Sequence, residues 1–228
     1  MKAIMMRSQR GITLISTLVG LAISMVVTVG MLMVFKNVAS TTLAARESSN
    51  ADGKYIASAL TASLAMQEAG YGVTSPQPGV QLIAISSATM TSNVLSGTAD
   101  ITSPMTGNAM VWEVLSGGVL QCAGLYAPSA GGLQSLPAVN CTGASTWNTL
   151  TWAPVILVPS PALASDSDKL DRNTPIIFKI TATTQVCNPP GITRISGNIL
   201  ASLTATNKAG DLYTNLSTAQ CLSNFLAP

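Results

Sequence analysis

No charged side chain lies between Ile12 and Phe35, and this uninterrupted apolar run limits what the chain can become more than any other feature. As an α-helix rising 1.5 Å per residue, its 24 residues extend about 36 Å, against roughly 30 Å for the hydrocarbon core of a bilayer. The run is therefore long enough to span. Arg7 and Arg10 stand just before it and Lys36 alone just after it. The excess of positive charge on the first side places the N-terminus in the cytoplasm, with everything from about Asn37 onward on the far side. A cleaved secretory signal has an apolar region of only about 7–15 residues, so this one reads as an anchor that stays attached.

The junction in front of the run is Gln9-Arg10-Gly11-Ile12-Thr13-Leu14-Ile15, a basic leader ending in glycine directly before the apolar helix. It resembles the class III signal of type IV prepilins and pseudopilins, in which a dedicated peptidase cuts after the glycine on the cytoplasmic side. The resemblance implies cleavage after Gly11 and a mature N-terminus at Ile12, which would be N-methylated. It implies as partners the prepilin peptidase, an inner-membrane assembly platform, and other major and minor pilins.

Physical logic supports the same expectation. A helix leaves lipid at tolerable cost only if its apolar surface is covered again, and packing against copies from other subunits covers it. Gly20 and Gly30, with Ala22 and Ser24, offer small surfaces for close helix approach. Leu14, Leu18 and Leu21 supply apolar contact area, and Ser16 lies among them. The plainer reading is an ordinary single-span anchor.

Ser16 departs from the family pattern. The resemblance calls for Glu at the fifth mature position, where its carboxylate partners the N-terminal amine of a neighbouring subunit inside an apolar bundle. An isolated charge there would be costly. Ser16 supplies no negative charge, so the expectation is a minor subunit near the tip or one that initiates assembly.

Helical character continues to about Met66, with Ile56, Ala59, Leu60, Ser63 and Leu64 at helical spacing on the face expected to pack on a head. Asp52-Gly53 marks a local interruption, and Gly70 with Gly72 a stop. Met66-Gln67-Glu68-Ala69-Gly70-Tyr71 resembles the end of this helix in PilW-like minor pilins, although basic residues common there are missing here. That resemblance covers roughly the first 72 residues.

Beyond Tyr71 the pattern changes to short β-like runs. Strands are expected at Val80–Ile85, Met110–Leu115, Val119–Tyr126, Leu150–Val158, Ile176–Thr181 and Ile192–Leu203. Loops are expected at Ser75–Gly79, Ala127–Gly132, Pro159–Asp166 and Asn188–Gly191. The expected fold class is α+β, a long N-terminal helix packed on an antiparallel sheet in a pilin-like ladle. Its division is a leader at 1–11, an assembly helix at 12–35, an amphipathic continuation at 36–70 and a β-rich head at 71–228.

Four cysteines, Cys122, Cys141, Cys187 and Cys221, all lie beyond the membrane run. An even number on that side points to disulfides formed in an oxidising periplasm. Three pairings are possible, and sequential pairing closes the shortest loops. A zinc site is disfavoured because the chain has no histidine and no Cys-x-x-Cys.

The absence of histidine also removes the commonest general base, and with it Ser-His-Asp and Cys-His catalysis, so no enzymatic role is expected. Gly70-Tyr71-Gly72 lacks the further glycine and the basic residue of a phosphate loop. Between Lys54 and Lys169 there is no Lys or Arg, which leaves no footprint for nucleic acid over half the chain.

Asp166, Asp168 and Asp171 space oxygen atoms as a calcium loop begins, but the glycine and terminal Glu of the hand motif are missing. A solvated loop is the leading reading, and no cofactor is expected. Trp112, Trp147 and Trp152 fall in β-like surroundings, where burial in the core is the leading reading over a ligand surface. The functional expectation is a minor structural subunit of a type IV pilus. The alternatives are a minor pseudopilin of a type II secretion or DNA-uptake system and an anchored adhesin that never polymerises.

Overall fold

A computed structural model of the chain describes residues 14–159, 176–187, 197–207 and 212–225. The fold class is α+β: a long, apolar N-terminal helix and a β domain in which every strand pairing is antiparallel. Helix α1 runs over Leu14–Gln67, and it is unbroken at Asp52 and Gly53, where an interruption was expected. The chain divides into two compact units, Met1–Ala51 and Asp52–Pro228. In the first unit the described residues form the helix alone.

Among the described residues, the second unit holds the end of α1 and ten strands in two sheets. The strands are β1 (Leu82–Thr91), β2 (Val94–Asp100), β3 (Met105–Gly107), β4 (Ala109–Ser116), β5 (Val119–Tyr126), β6 (Leu133–Asn140), β7 (Val155–Val158), β8 (Ile176–Cys187), β9 (Gly197–Asn207) and β10 (Leu212–Cys221). One sheet has six strands in the order β2-β1-β4-β5-β6-β7, and the other has four in the order β10-β9-β8-β3. The single sheet expected from the sequence is thus two.

Local chemistry accounts for the central hairpin. β4 and β5 are joined by Gly117-Gly118, both at positive φ (59° and 78°), with Ser116 facing Val119 across the turn. Two successive left-handed residues give the turn whose twist matches that of paired strands, and glycine enters that region without a Cβ penalty. In β4, Ala109 to Val114 are buried without alternation, the pattern of a strand covered on both faces.

The two faces of the six-stranded sheet belong to different cores. On one side Leu82, Met110 and Trp112 share a cluster with Phe178 and Leu203 of the four-stranded sheet and with Met66 of α1. On the other, Ile83, Val111 and Leu136 lie under Ala144, Trp147 and Trp152, which come from the segment between β6 and β7. All three tryptophans are buried, as the sequence suggested, and the Trp152 Nε1–H donates to the carbonyl of Trp147 at 3.3 Å.

Of the helix face expected to pack on the head, Ala59 and Ser63 do so, while Ile56, Leu60 and Leu64 do not. Ser58, Ala59, Ala62, Ser63 and Met66 are buried, while Ile56, Leu60 and Leu64 are more than half exposed. Small side chains let a helix approach a sheet closely. The larger aliphatic ridge, four residues apart along α1, is turned outward. Ser58 Oγ donates to the carbonyl of Leu157 in edge strand β7 at 2.6 Å, closing a polar group that the sheet leaves open.

Candidate functional site

The apolar helix is the feature with the clearest functional content. Leu14–Leu43 forms a helix of 30 residues, long and apolar enough to cross a membrane, and none of its most apolar stretch is buried. Leu14, Leu21 and Phe35 are 77%, 69% and 72% exposed, and Leu18, Ile23, Met25 and Val26 are similarly uncovered. These positions point in all directions around the axis, so the surface is an apolar cylinder with no polar side. Burying one such large side chain is worth roughly 1.5–3 kcal/mol. A surface of this kind has to be covered by lipid or by protein.

The few polar side chains of the cylinder are served within it. Thr17 Oγ1 donates to the carbonyl of Leu14 at 2.8 Å, Ser24 Oγ to that of Gly20 at 2.8 Å, and Thr28 Oγ1 to that of Ser24 at 2.6 Å. Hydroxyls bonded back to the preceding turn need no water, which makes them compatible with hydrocarbon.

Of the residues singled out by sequence, Leu14, Ser16, Leu18, Gly20, Leu21 and Gly30 all lie on this one helix and are exposed. A Cβ added at Gly20 or Gly30 would meet nothing within 4 Å, so both positions leave open room beside the backbone. Gly11 and Ile12 lie outside the described residues, as do Asp166, Asp168 and Asp171. Among the described residues no three His, Cys, Asp or Glu side chains are grouped so as to hold a metal ion.

The cysteines pair sequentially. Cys122 is bonded to Cys141 and Cys187 to Cys221, each with a Cα–Cα distance of 5.7 Å. The bridges close loops with sequence separations of 19 and 34 residues, worth about 3 and about 4 kcal/mol if they act by restricting the unfolded chain. The first tethers the segment that carries Trp147 and Trp152 over the outer core, and the second ties the end of β10 to the end of β8.

Sequence reasoning missed two polar residues that organise the head. Asn108 and Glu113 bond to backbone groups 19 to 31 residues away. A single Asn or Glu in a β-like run carries no local sign of such a role.

Comparison of the chain with protein-family models, with curated proteins and with solved structures finds no match.

Proposed function

We propose that this chain is a minor structural subunit of a type IV pilus, stored in the inner membrane with its head in the periplasm and assembled into the filament through its N-terminal helix. The observation that carries the reading is the bare apolar cylinder of α1, with large side chains exposed on every side from Leu14 to Phe35. Lipid can store such a surface, and sister helices can cover it again without exposing it to water. The Gly11-Ile12 junction supplies a means of removing the basic leader while leaving the cylinder intact.

Ser16 bears on the position in the filament. A shaft subunit needs a carboxylate at that place to partner a neighbour's terminal amine, whereas a subunit at an end does not. In the proposed mechanism the leader is removed on the cytoplasmic side, Ile12 becomes the terminus, and Leu14, Leu18, Gly20, Leu21 and Gly30 form part of the bundle contact.

N-terminal mass spectrometry of envelope and sheared-filament fractions tests this directly. The expected mature chain begins at Ile12, carries an N-methyl group and is recovered with filaments. A chain that retains Met1, or one that begins well past Phe35, overturns the proposal. A chain that begins at Ile12 but never leaves the membrane fraction points instead to an anchored module that does not polymerise.

A further inference from the structure

The last carbonyls of an α-helix lack donors within the helix, so something else must satisfy them. At the end of α1 that partner comes from the far end of the chain. Asn224 Nδ2 donates to the carbonyl of Gln67 at 3.1 Å and to that of Ala69 at 2.9 Å. Asn224 sits between two buried anchors. Leu222 is fully buried and its amide donates to the carbonyl of Ile199 at 2.9 Å, while Phe225 is 1% exposed. The Phe225 ring lies 3.0 Å from where a Cβ on Gly70 would stand. Cys221, bonded to Cys187, immediately precedes this segment.

We infer that Leu222–Phe225 is a strap closed over the end of α1, and that the Cys187–Cys221 bond helps hold it shut, so that reduction of this pair loosens the end of the helix on the head. Apart from the strap, this part of α1 is held by the Ser58–Leu157 hydrogen bond and by the packing of Met66 and Tyr55 on the head. The docked face of α1 consists mainly of Ser58, Ala59, Ala62 and Ser63, which bury little apolar area, with Met66 the large exception. The amide of Gly70 donates to the carbonyl of Glu113 and the amide of Leu115 to that of Tyr71, both at 2.8 Å, but these bonds hold the turn after the helix. The other disulfide, Cys122–Cys141, serves the opposite core of the six-stranded sheet.

Opening the strap is a thiol–disulfide exchange. A thiolate of a dithiol reductant attacks one sulfur of the Cys187–Cys221 bond and expels the other as a thiolate, and the reductant's second thiol then attacks the mixed disulfide and releases the first. Two protein thiols and the reductant's own disulfide result. In an oxidising compartment the bond persists and the strap stays closed. The inference does not depend on the filament reading, because it concerns the attachment of α1 to its own head.

Amide hydrogen exchange on the full chain in detergent micelles tests it, comparing wild type with C187S/C221S and with N224A. In both variants the amides of Ala59–Ala69 are expected to exchange about tenfold faster or more, with β4 and β5 at wild-type rates. Unchanged helix exchange in either variant overturns the inference, as does equal acceleration of the helix and of β4 and β5. Should C187S/C221S not fold, stepwise dithiothreitol reduction of the folded wild-type chain replaces it. Molecules in which only Cys187 and Cys221 become alkylated must then show the faster helix exchange, and wild-type rates in them sink the idea.

Discussion

The side-chain amide of Asn108 bonds both backbone groups of Ala88: its Oδ1 accepts from the amide at 2.6 Å and its Nδ2 donates to the carbonyl at 2.8 Å. It thereby takes the place of a strand partner where β1 loses register between Ser86 and Thr89 and Ser87 turns to a φ of 50°. The same Nδ2 also donates to the carbonyl of Ala127 at 2.9 Å, tying the bulge to the end of β5. Asn108→Ala removes three bonds and leaves their backbone partners in a partly buried place. A loss of about 2–3 kcal/mol is expected in denaturant unfolding of the full chain. Asn108→Asp should do no better, since its carboxylate cannot donate to the two carbonyls.

Glu113 is 5% exposed, and its Oε1 accepts from the amide of Ala144 at 2.6 Å. Directly opposite Glu113 in the β4–β5 pairing stands Cys122, whose bond to Cys141 closes the same covering segment. Glu113→Ala orphans a buried amide and should cost about 1–3 kcal/mol, while Glu113→Gln keeps an acceptor and should cost less. Because both devices hold one segment, E113A and C122S/C141S should combine non-additively in a double-mutant cycle. Near-UV circular dichroism, which reports on Trp147 and Trp152, offers a second readout of the loosened segment.

Gly70 ends α1 at a φ of 76°, and a Cβ there would stand 3.0 Å from both the Phe225 ring and the Pro76 ring. Left-handed backbone is costly for a residue with a side chain, and both neighbours are held in place. Gly70→Ala is therefore expected to lower stability by about 1–3 kcal/mol, measured by denaturant midpoint at unchanged slope.

Asp100 accepts the amide of Thr106 at 2.9 Å, and this bond, aided by the amide and hydroxyl of Thr102, holds its carboxyl below the ordinary value of 3.8. A carboxylate with a lowered folded-state pKa stabilises the fold above its unfolded value, and that contribution is lost as pH falls through the folded value. The thermal midpoint of wild type should therefore exceed that of Asp100→Asn at pH 7. The gap should narrow steadily below about pH 4. A gap that widens on acidification would be inconsistent with this assignment.

If an end position explains Ser16, restoring a carboxylate there should change where the subunit goes. Ser16→Glu is expected to raise the share of this chain recovered along sheared shafts, read by quantitative mass spectrometry against the major subunit. Unchanged incorporation would count against the end-position explanation while leaving helix-mediated assembly intact.

Much of the β architecture was hidden from sequence for identifiable reasons. β2 and β10 are edge strands of polar or mixed composition, and an edge strand can hold its place through backbone pairing without an apolar alternation to advertise it. β3 is three residues long. β6 carries Pro137, which argues against a strand, yet the pairing with β5 shifts register between Cys122 and Gly124 and so accommodates the missing donor. The β1–β2 hairpin did leave a trace. Ser92 and Asn93, at φ 50° and 65°, occupy a two-residue turn between paired Thr91 and Val94.

By itself the sequence determined the long apolar helix and the two strands on either side of Gly117-Gly118, because length without charge and runs of β-forming residues act locally. It also limited the cysteines to three pairings. Tertiary structure alone decided which pairing forms, that the head has two sheets, and that Ser58 and Ala62 rather than Ile56, Leu60 and Leu64 meet it. It also brought Asn224 to the carbonyls of Gln67 and Ala69. Each of these depends on groups far apart in the chain becoming neighbours, and closeness of approach between surfaces is a property of the packed molecule that no local run of residues contains.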